Sequence, residues 1–392
     1  MSSLYVTVST KMSRRQNRCT GIPRVEYEVA REMVARGGRT LQYDALLRRF
    51  RVTDFRQAIA SSERSRDGLV QATASRLAAA VSPRLTLAPG DTIVVPAIFW
   101  RAGQIADLVR LRQTQGVRVG VNIADIMPIR RPELVSNESG ARDFRRFIDA
   151  VIDCADWTCA ISRFVVDDLT AYIRERGKRE IPVHHVPLCA DLRDRVTAEF
   201  TPRLRALGLP SDGYALYVST LNPRKNHAGI YWLWRRLVQE MGEATPPLVL
   251  AGQRGWNDRD VFDLMSRDRE MWGRHIRFVA GPSDAELVHL YRDCAFTVFP
   301  SYHEGWGLPI TESLSFGKPC VAADNTSLRE AGQGLATHVD DLDGPGWLAA
   351  IKRLATDAAY RRDCSARIAE HYRPRTWHDI GEEIYRLATA SA

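Results

Sequence analysis

From Phe296 to Ser313 the chain passes from an apolar run, Phe296–Phe299, through a loop with two glycines around a tryptophan, into a helical pattern opening near Pro309. The apolar run reads as a buried strand. Proline's fixed φ and missing N–H are tolerated in the first turn of a helix, so the helix is expected to start there. Ligands of open α/β sheets bind at such strand-to-helix crevices, at the carboxyl ends of strands. Gly305 and Gly307 let backbone N–H groups approach an anion at the positive helix N-terminus. A chain with this segment is therefore expected to fold as a parallel α/β sheet with a ligand at its strand ends.

Two carboxylates, Glu304 and Glu312, flank this loop eight positions apart. A glycoside-hydrolysing pair must straddle one bond, with its carboxyls roughly 5–9.5 Å apart. Pro309 to Glu312 alone advances about 4.5 Å along a helix, with Glu304 further back. A compact loop can still bring the two together, so spacing disfavours the hydrolytic pair without excluding it. A bipartite clamp fits better, each glutamate accepting hydrogen bonds from hydroxyls on a different part of a long ligand.

The rest of the chain alternates strand and helix. Short buried strands are expected at Leu4–Val8, Thr92–Pro96, Arg118–Ile123, Trp157–Ile161 and Val183–Val186, and again at Tyr214–Ser219, Pro247–Ala251, Ile276–Ala280, Thr297–Pro300 and Pro319–Ala323. Helical patterns lie between them, including Val25–Arg36, Gln104–Gln115, Asp143–Asp153 and Arg163–Glu175. That alternation predicts parallel sheets with crossover helices. At 392 residues the chain exceeds one ordinary core, so two domains are expected. Residues 1–195 and 213–370 form them, joined by a linker over 196–212, and 371–392 is a terminal helix returning to the first domain.

Glu304-Gly-Trp-Gly-Leu-Pro-x-x-Glu312, with Phe316-Gly-Lys-Pro319 and Thr326-Ser-Leu-Arg-Glu330 after it, resembles the E-x7-E signature of retaining GT-B glycosyltransferases, in particular the bacterial glycosyltransferase family 4. The resemblance implies two Rossmann-like, doubly wound domains facing each other across a cleft. It places Glu304 on the donor sugar, Glu312 on the nucleotide ribose, and the Gly305, Trp306, Gly307 and Leu308 backbone around the donor. Thr20-Gly21-Ile22-Pro23-Arg24-Val25 looks like the glycine loop that approaches the donor diphosphate, with Arg24 a candidate for the acceptor, a phosphate or simply a helix surface. Asn222-Pro223-Arg224-Lys225-Asn226 resembles the loop whose basic pair grips the diphosphate. Fixed positive charge there stabilises a leaving group that gains negative charge as the glycosidic bond breaks. Gly252, in Leu-Val-Leu-Ala-Gly-Gln-Arg-Gly-Trp256, is expected near the nucleotide. Ser283 or Asp284 is expected to cap the helix that follows, with Glu286 assisting.

The chain also departs from the family pattern. Asp125 matches an acceptor-domain segment, but Ala124 stands where His or Tyr is usual, and no histidine precedes His184. Cys189 stands where relatives commonly have glycine. Asp258-Arg259-Asp260 is formally a D-x-D pattern, yet it lies in a polar turn rather than at a strand end. No metal site is assigned, and Arg224 with Lys225 is expected to neutralise charge instead.

Charge is uneven. Residues 1–195 hold 32 Lys and Arg against 22 Asp and Glu, so the net of +8 arises in the first half. Arg48, Arg49, Arg51, Arg56, Arg64, Arg66, Arg76 and Arg84, interleaved with apolar residues, read as one or two basic amphipathic helices. A solvated surface reflecting the excess of 50 Arg over 5 Lys and docking on an anionic inner membrane leaflet stay open as readings of residues 48–84. Nucleic-acid binding is disfavoured, because no recognised motif accompanies the charge. Neither a signal peptide nor an 18-residue apolar run is evident. Seven cysteines without a C-x-x-C pair suit a reduced, cytoplasmic protein.

The resemblance thus implies a hexosyltransferase that needs no cofactor, the nucleotide-sugar being its substrate. The acceptor would be a saccharide or lipid-linked saccharide in cell-surface polysaccharide synthesis. The motifs come closest to O-antigen and exopolysaccharide transferases, among which GDP-mannose donors are common. A UDP-sugar donor, and an inert sugar- or membrane-binding scaffold, are the alternatives.

Overall fold

The structure, a computed structural model, describes residues 2–9, 21–44, 47–56, 58, 85–97, 102–135, 138–189, 192, 201–210 and 213–390. Its first elements are β1 (Leu4–Val8), α1 (Ile22–Ala35), β2 (Arg39–Asp44), β3 (Arg49–Thr53), β4 (Thr92–Val95), α2 (Ala102–Gln115), β5 (Arg118–Ile123), α3 (Met127–Arg130), α4 (Glu138–Cys154), β6 (Trp157–Ala160), α5 (Arg163–Glu175) and β7 (Val183–His185). They continue with α6 (Pro202–Ala206), β8 (Ala215–Val218), α7 (His227–Met241), β9 (Leu248–Gly252), α8 (Arg259–Arg267), β10 (Ile276–Ala280), α9 (Asp284–Asp293), β11 (Phe296–Phe299) and α10 (Leu308–Ser315). The last are β12 (Cys320–Ala323), α11 (Leu328–Gly332), β13 (Thr337–Val339), α12 (Gly344–Thr356), α13 (Ala358–His371) and α14 (Trp377–Thr389).

Two compact units result. The first comprises Met1–Arg130, Ser139–Leu188 and Trp377–Ala392, the second Arg131–Glu138 and Cys189–Thr376. In the first unit the strand order is β3-β2-β1-β4-β5-β6-β7, parallel throughout except for the antiparallel β2–β3 pair. Its core gathers the strand apolar residues with Leu108, Leu111, Ile148, Val151 and Leu169 from the helices. Helix α14 belongs here: Thr92 Oγ1 donates to Ala388 O (3.0 Å), and a Cβ on Gly381 would stand 2.4 Å from Glu32 Cβ on α1. Glycine is what lets these two helices cross so closely.

The second sheet has the order β10-β9-β8-β11-β12-β13, all parallel. β8, β11 and β12 are buried along their whole length, as strands covered by helices on both faces must be. In this order the chain runs outward from β8 through β9 to β10, then returns to β11 on the other side of β8. That reversal is a topological switch point, where open α/β sheets form their ligand crevice.

Three expectations need correction. Residues 201–210, assigned to the linker, are part of the second unit. Thr201 caps α6, its hydroxyl donates to Glu286 Oε1 (3.0 Å), and Leu204 packs with Tyr214 and Leu216 in the core. Residues 131–138 also belong to that unit, not to the first domain. Arg49–Thr53, taken as the start of a basic amphipathic helix, is an edge strand pairing with β2; Phe50 is buried while Val52 is exposed, the period of a strand. Residues 59–84 of the basic segment lie outside the described residues. Among the described residues no helix is long and apolar enough to cross a membrane.

Candidate donor site at the switch point

The loops after β8 and β11 leave adjacent strands at the switch point. The first carries Asn222–Asn226 and the second Ser301–Gly307. Asn222 begins a single 3-10 turn, Pro223–Lys225, which ends at Asn226 in the left-handed conformation with φ 54°. Asn226 then caps α7, its side chain accepting from Gly229 N (3.0 Å). Asparagine tolerates this conformation better than most residues, so the turn and the helix start are written into Asn-Pro-Arg-Lys-Asn. The turn presents Arg224 and Lys225 to the second loop.

Glu304 receives both cations. Arg224 Nη1 lies 2.6 Å from Glu304 Oε2, and Lys225 Nζ ion-pairs with Oε1. Ser301 Oγ donates to the same Oε1 (2.6 Å). Lys225 Nζ also sits 4.9 Å from the centre of the Phe299 ring. All three charged side chains are largely buried. Burial alone would raise the pKa of Glu304, but the two cations more than offset it and hold the carboxyl down at about 2. It is therefore an ionised acceptor, clamped on both oxygens. Two cations and one carboxylate give the triad a formal charge of +1.

Backbone and side-chain hydrogen bonds lock the two loops together. Tyr302 N donates to Arg224 O (2.9 Å), Arg224 Nη1 to His303 O (2.5 Å), and Tyr302 Oη to Asn226 Oδ1 (2.9 Å). Beneath them, Tyr217 Oη hydrogen-bonds Lys225 O, and the Tyr217 ring stacks on His227 at 4.8 Å. His227 is buried, and burial together with the Lys225 charge lowers its pKa to about 3. It is a neutral ring whose Nε2 lies 3.0 Å from Ser219 Oγ, a support for the loop rather than an acid or base.

Helix α10 starts one residue earlier than expected, at Leu308, after Gly307 at φ 113° with no side-chain cap. That φ favours glycine, and a Cβ on Gly307 would also lie 2.8 Å from Leu328 Cδ2. Gly305, Trp306 and Gly307 are buried against the sheet end, and Ser327 Oγ lies 2.9 Å from both Glu304 O and Trp306 O. Glu312 sits on the second turn of α10, buried, accepting from Tyr291 Oη (2.7 Å). Tyr291 stacks on Phe316 with ring planes 6° apart. Gly252 ends β9 where a Cβ would stand 1.8 Å from Ser219 O, a close approach next to the β8 loop.

Of the expected residues, Arg224, Lys225, Gly252, Glu304, Gly305, Trp306, Gly307, Leu308 and Glu312 all lie in the second unit, and the triad joins three of them directly. Gly21, Arg24 and Asp125 lie in the first unit. Gly21 precedes α1 at φ 65° with open space where a Cβ would point. Arg24 is fully buried rather than on a helix surface. Asp125 Oδ1 accepts from Met127 N (3.0 Å) and so starts α3. Asp258 of the D-x-D pattern is buried and paired with Arg254 Nε (2.6 Å). Ser283 and Glu286 form the expected capping box on α9.

Sequence reasoning gave no part to Ser301, Tyr302, Tyr291, Thr326 or Glu26. Thr326 stands in the Thr326–Glu330 motif and Ser301 and Tyr302 in the loop that precedes Glu304, so their position was a signal; Tyr291 offered none. Glu26 on α1 is buried and accepts from Ser9 N (2.5 Å) and Ser9 Oγ (2.8 Å) at the carboxyl end of β1. Burial raises its pKa to about 7 despite those bonds.

Residues 205–370 match the family described as "Glycosyl transferases group 1", which contains every residue of the triad. O-antigen chain mannosyltransferase B of Escherichia coli is 35% identical over 193 residues, 48% of this chain and 49% of the relative. Serotype-specific mannosyltransferase WbdA of Escherichia coli is 27% identical over 222 residues, 54% of this chain and 26% of the relative. The chain thus spans half or less of the length of these relatives. Among solved structures, sucrose-phosphate synthase from Thermosynechococcus elongatus superimposes with a TM-score of 0.67 at 15% identity, covering 99% of this chain and 98% of the other. Anabaena HepE in complex with UDP and glucose gives 0.66 at 14% identity, covering 99% of both chains. The fold is GT-B.

Proposed function

We propose that this chain, whose residues 205–370 form a group 1 glycosyltransferase domain, is a retaining hexosyltransferase. Its donor is a nucleotide-sugar, GDP-mannose before others, and its acceptor a saccharide or lipid-linked saccharide of a cell-surface polysaccharide. The observation that carries this reading is the Arg224–Glu304–Lys225 triad at the switch point. The mannosyltransferase names of the relatives favour mannose. HepE's complex with UDP and glucose favours the second reading, a UDP-sugar.

In the proposed reaction the donor diphosphate takes up the positive charge of Arg224 and Lys225. Glu304, released in part from those cations, accepts hydrogen bonds from sugar hydroxyls. Glu312 holds the ribose. The bond from the anomeric carbon to the phosphate oxygen breaks, and the bond to the acceptor oxygen forms on the same face. The departing phosphate oxygen takes the acceptor's proton. Cations already in place stabilise the charge that develops on the leaving group without reorganising. Glu304 serves as a hydrogen-bond acceptor and not a nucleophile in this scheme, since its two oxygens are held by three donors. Arg24 and Asp125 are proposed on the acceptor side. Docking through the basic residues 48–84 on an anionic inner membrane leaflet is part of the same proposal, and retention by anionic liposomes at low salt tests it.

The test is incubation with GDP-mannose, and in parallel UDP-glucose, with mannose-terminated oligosaccharides, in EDTA. Release of GDP with an α-linked mannosyl product meets the proposal. A β-linked product overturns the retaining mechanism, and activity abolished by EDTA overturns metal independence.

A further inference from the structure

Among the described residues, five non-glycine positions have positive φ: Arg48, Asn226, Asn257, Thr326 and Gln333. Thr326, at φ 47°, is the one with a β-branched side chain. For such a residue this conformation is a genuine outlier, and outliers of this kind persist only where their surroundings over-determine them. Thr326 lies between β12 and α11, facing the Glu304 loop. Glu304 N donates to Thr326 Oγ1 (3.2 Å), and that hydroxyl stands 3.0 Å from Asn325 Oδ1. Asn325 Nδ2 in turn donates to Ser301 O (2.9 Å). The next residue, Ser327, holds the carbonyls of Glu304 and Trp306.

Both ends of the Glu304 peptide are therefore fixed from one short segment: its N–H by Thr326, its carbonyl by Ser327. The carboxylate is fixed independently by Ser301 and the two cations. We propose that Thr326 is a positioning residue for Glu304, held in the left-handed conformation because only there does its hydroxyl reach the Glu304 amide. The inference rests on the reading of Glu304 as the carboxylate that faces the donor sugar. A glycine would adopt the same backbone without strain, so the threonine exchanges local stability for the placement of one peptide group.

Three variants separate these roles. Thr326→Gly removes both strain and hydroxyl, Thr326→Val keeps the branching without the hydroxyl, and Thr326→Ser keeps the hydroxyl with less crowding. Each is compared with wild type by amide hydrogen exchange in the peptide spanning residues 301–308, by thermal unfolding, and by kcat and KM with GDP-mannose. In the glycine variant exchange at 301–308 quickens by about tenfold or more and kcat falls by about 10–100-fold, while the unfolding midpoint does not fall and KM changes little, because a small misplacement of a reacting group acts on the transition state. Valine gives the same kinetic pattern with a lower midpoint, and serine restores wild-type exchange and kcat. Unchanged exchange at 301–308 in the glycine variant overturns the proposal, as does quickened exchange with unchanged kcat. A wild-type protein inert toward GDP-mannose and UDP-glucose overturns the functional reading instead, and exchange in the three variants still decides whether Thr326 holds Glu304.

Discussion

Arg224 Nη1 stands 2.6 Å from Glu304 Oε2, with Lys225 on the other carboxylate oxygen. The two loops concerned are far apart in sequence and meet because β11 lies next to β8. A buried charge of either sign is costly without its partner, and the pairing explains how all three are retained at a sheet end.

Lys225→Ala leaves Arg224 as the cation on Glu304, beside the Ser301 hydroxyl. The expected loss of stability is roughly 2 kcal/mol, below the 3–5 kcal/mol typical of stranding a buried charge because one cation remains. Adding Glu304→Gln restores most of that stability while turnover stays lost. Urea unfolding of both single variants and the double variant measures the coupling; additive losses contradict the triad.

Glu304 and Glu26 drive stability in opposite directions with pH. Glu304 has a folded pKa of about 2, below its ordinary 4.5, so its contribution is present above pH 4.5 and is lost as the pH falls toward 2. Glu26 has a folded pKa of about 7, above its ordinary 4.5. Its contribution is full below pH 4.5 and is lost as the pH rises to 7, on the order of 3 kcal/mol at about 1.4 kcal/mol per unit. Denaturant unfolding at several pH values should show Glu26→Gln flattening the slope between pH 4.5 and 7, and Glu304→Gln flattening only the acid side.

Tyr291→Phe removes the hydroxyl that donates to Glu312 Oε2. If Glu312 holds the ribose, KM for the donor rises by about 10-fold, the equivalent of roughly 1.4 kcal/mol, with kcat changed less. Steady-state kinetics with varied donor checks the split, and a fall in kcat at constant KM contradicts it.

Gly252 and Gly21 give a contrast. Alanine at 252 drives a Cβ to within 1.8 Å of Ser219 O, so Gly252→Ala is expected to destabilise by more than about 3 kcal/mol. At Gly21 the space is open and only the φ of 65° resists, a penalty of about 1–2 kcal/mol. Thermal unfolding should separate the two, and equal losses contradict the contrast.

The inner strands such as β8, β11 and β12 were legible because they are buried on both faces and therefore read as continuous apolar runs; the edge strand Ile276–Ala280 and the helix Arg163–Glu175 were also read residue for residue. β2, β3 and β13 were missed for the converse reason. Arg39–Asp44 buries Thr40 and Gln42 among its apolar residues, and Arg49–Thr53 is an edge strand whose arginines mimic a basic helix. The site residues of the second unit were legible one by one, since each sits in a short motif. Their pairing was not, because contact between the Arg224 and Glu304 loops depends on strand order. The role of Thr326 was hidden in a backbone angle, which no residue type announces at a threonine.

Thermal unfolding with GDP, UDP and ADP, each with wild type and Glu312→Ala, tests the nucleotide-sugar reading most directly. Ligand at about 100 times its dissociation constant adds roughly 2.7 kcal/mol, a rise of a few degrees for a domain of this size. The account predicts that GDP raises the midpoint of wild type by that amount, more than UDP or ADP, and that Glu312→Ala abolishes the rise. No shift with any of the three nucleotides contradicts it.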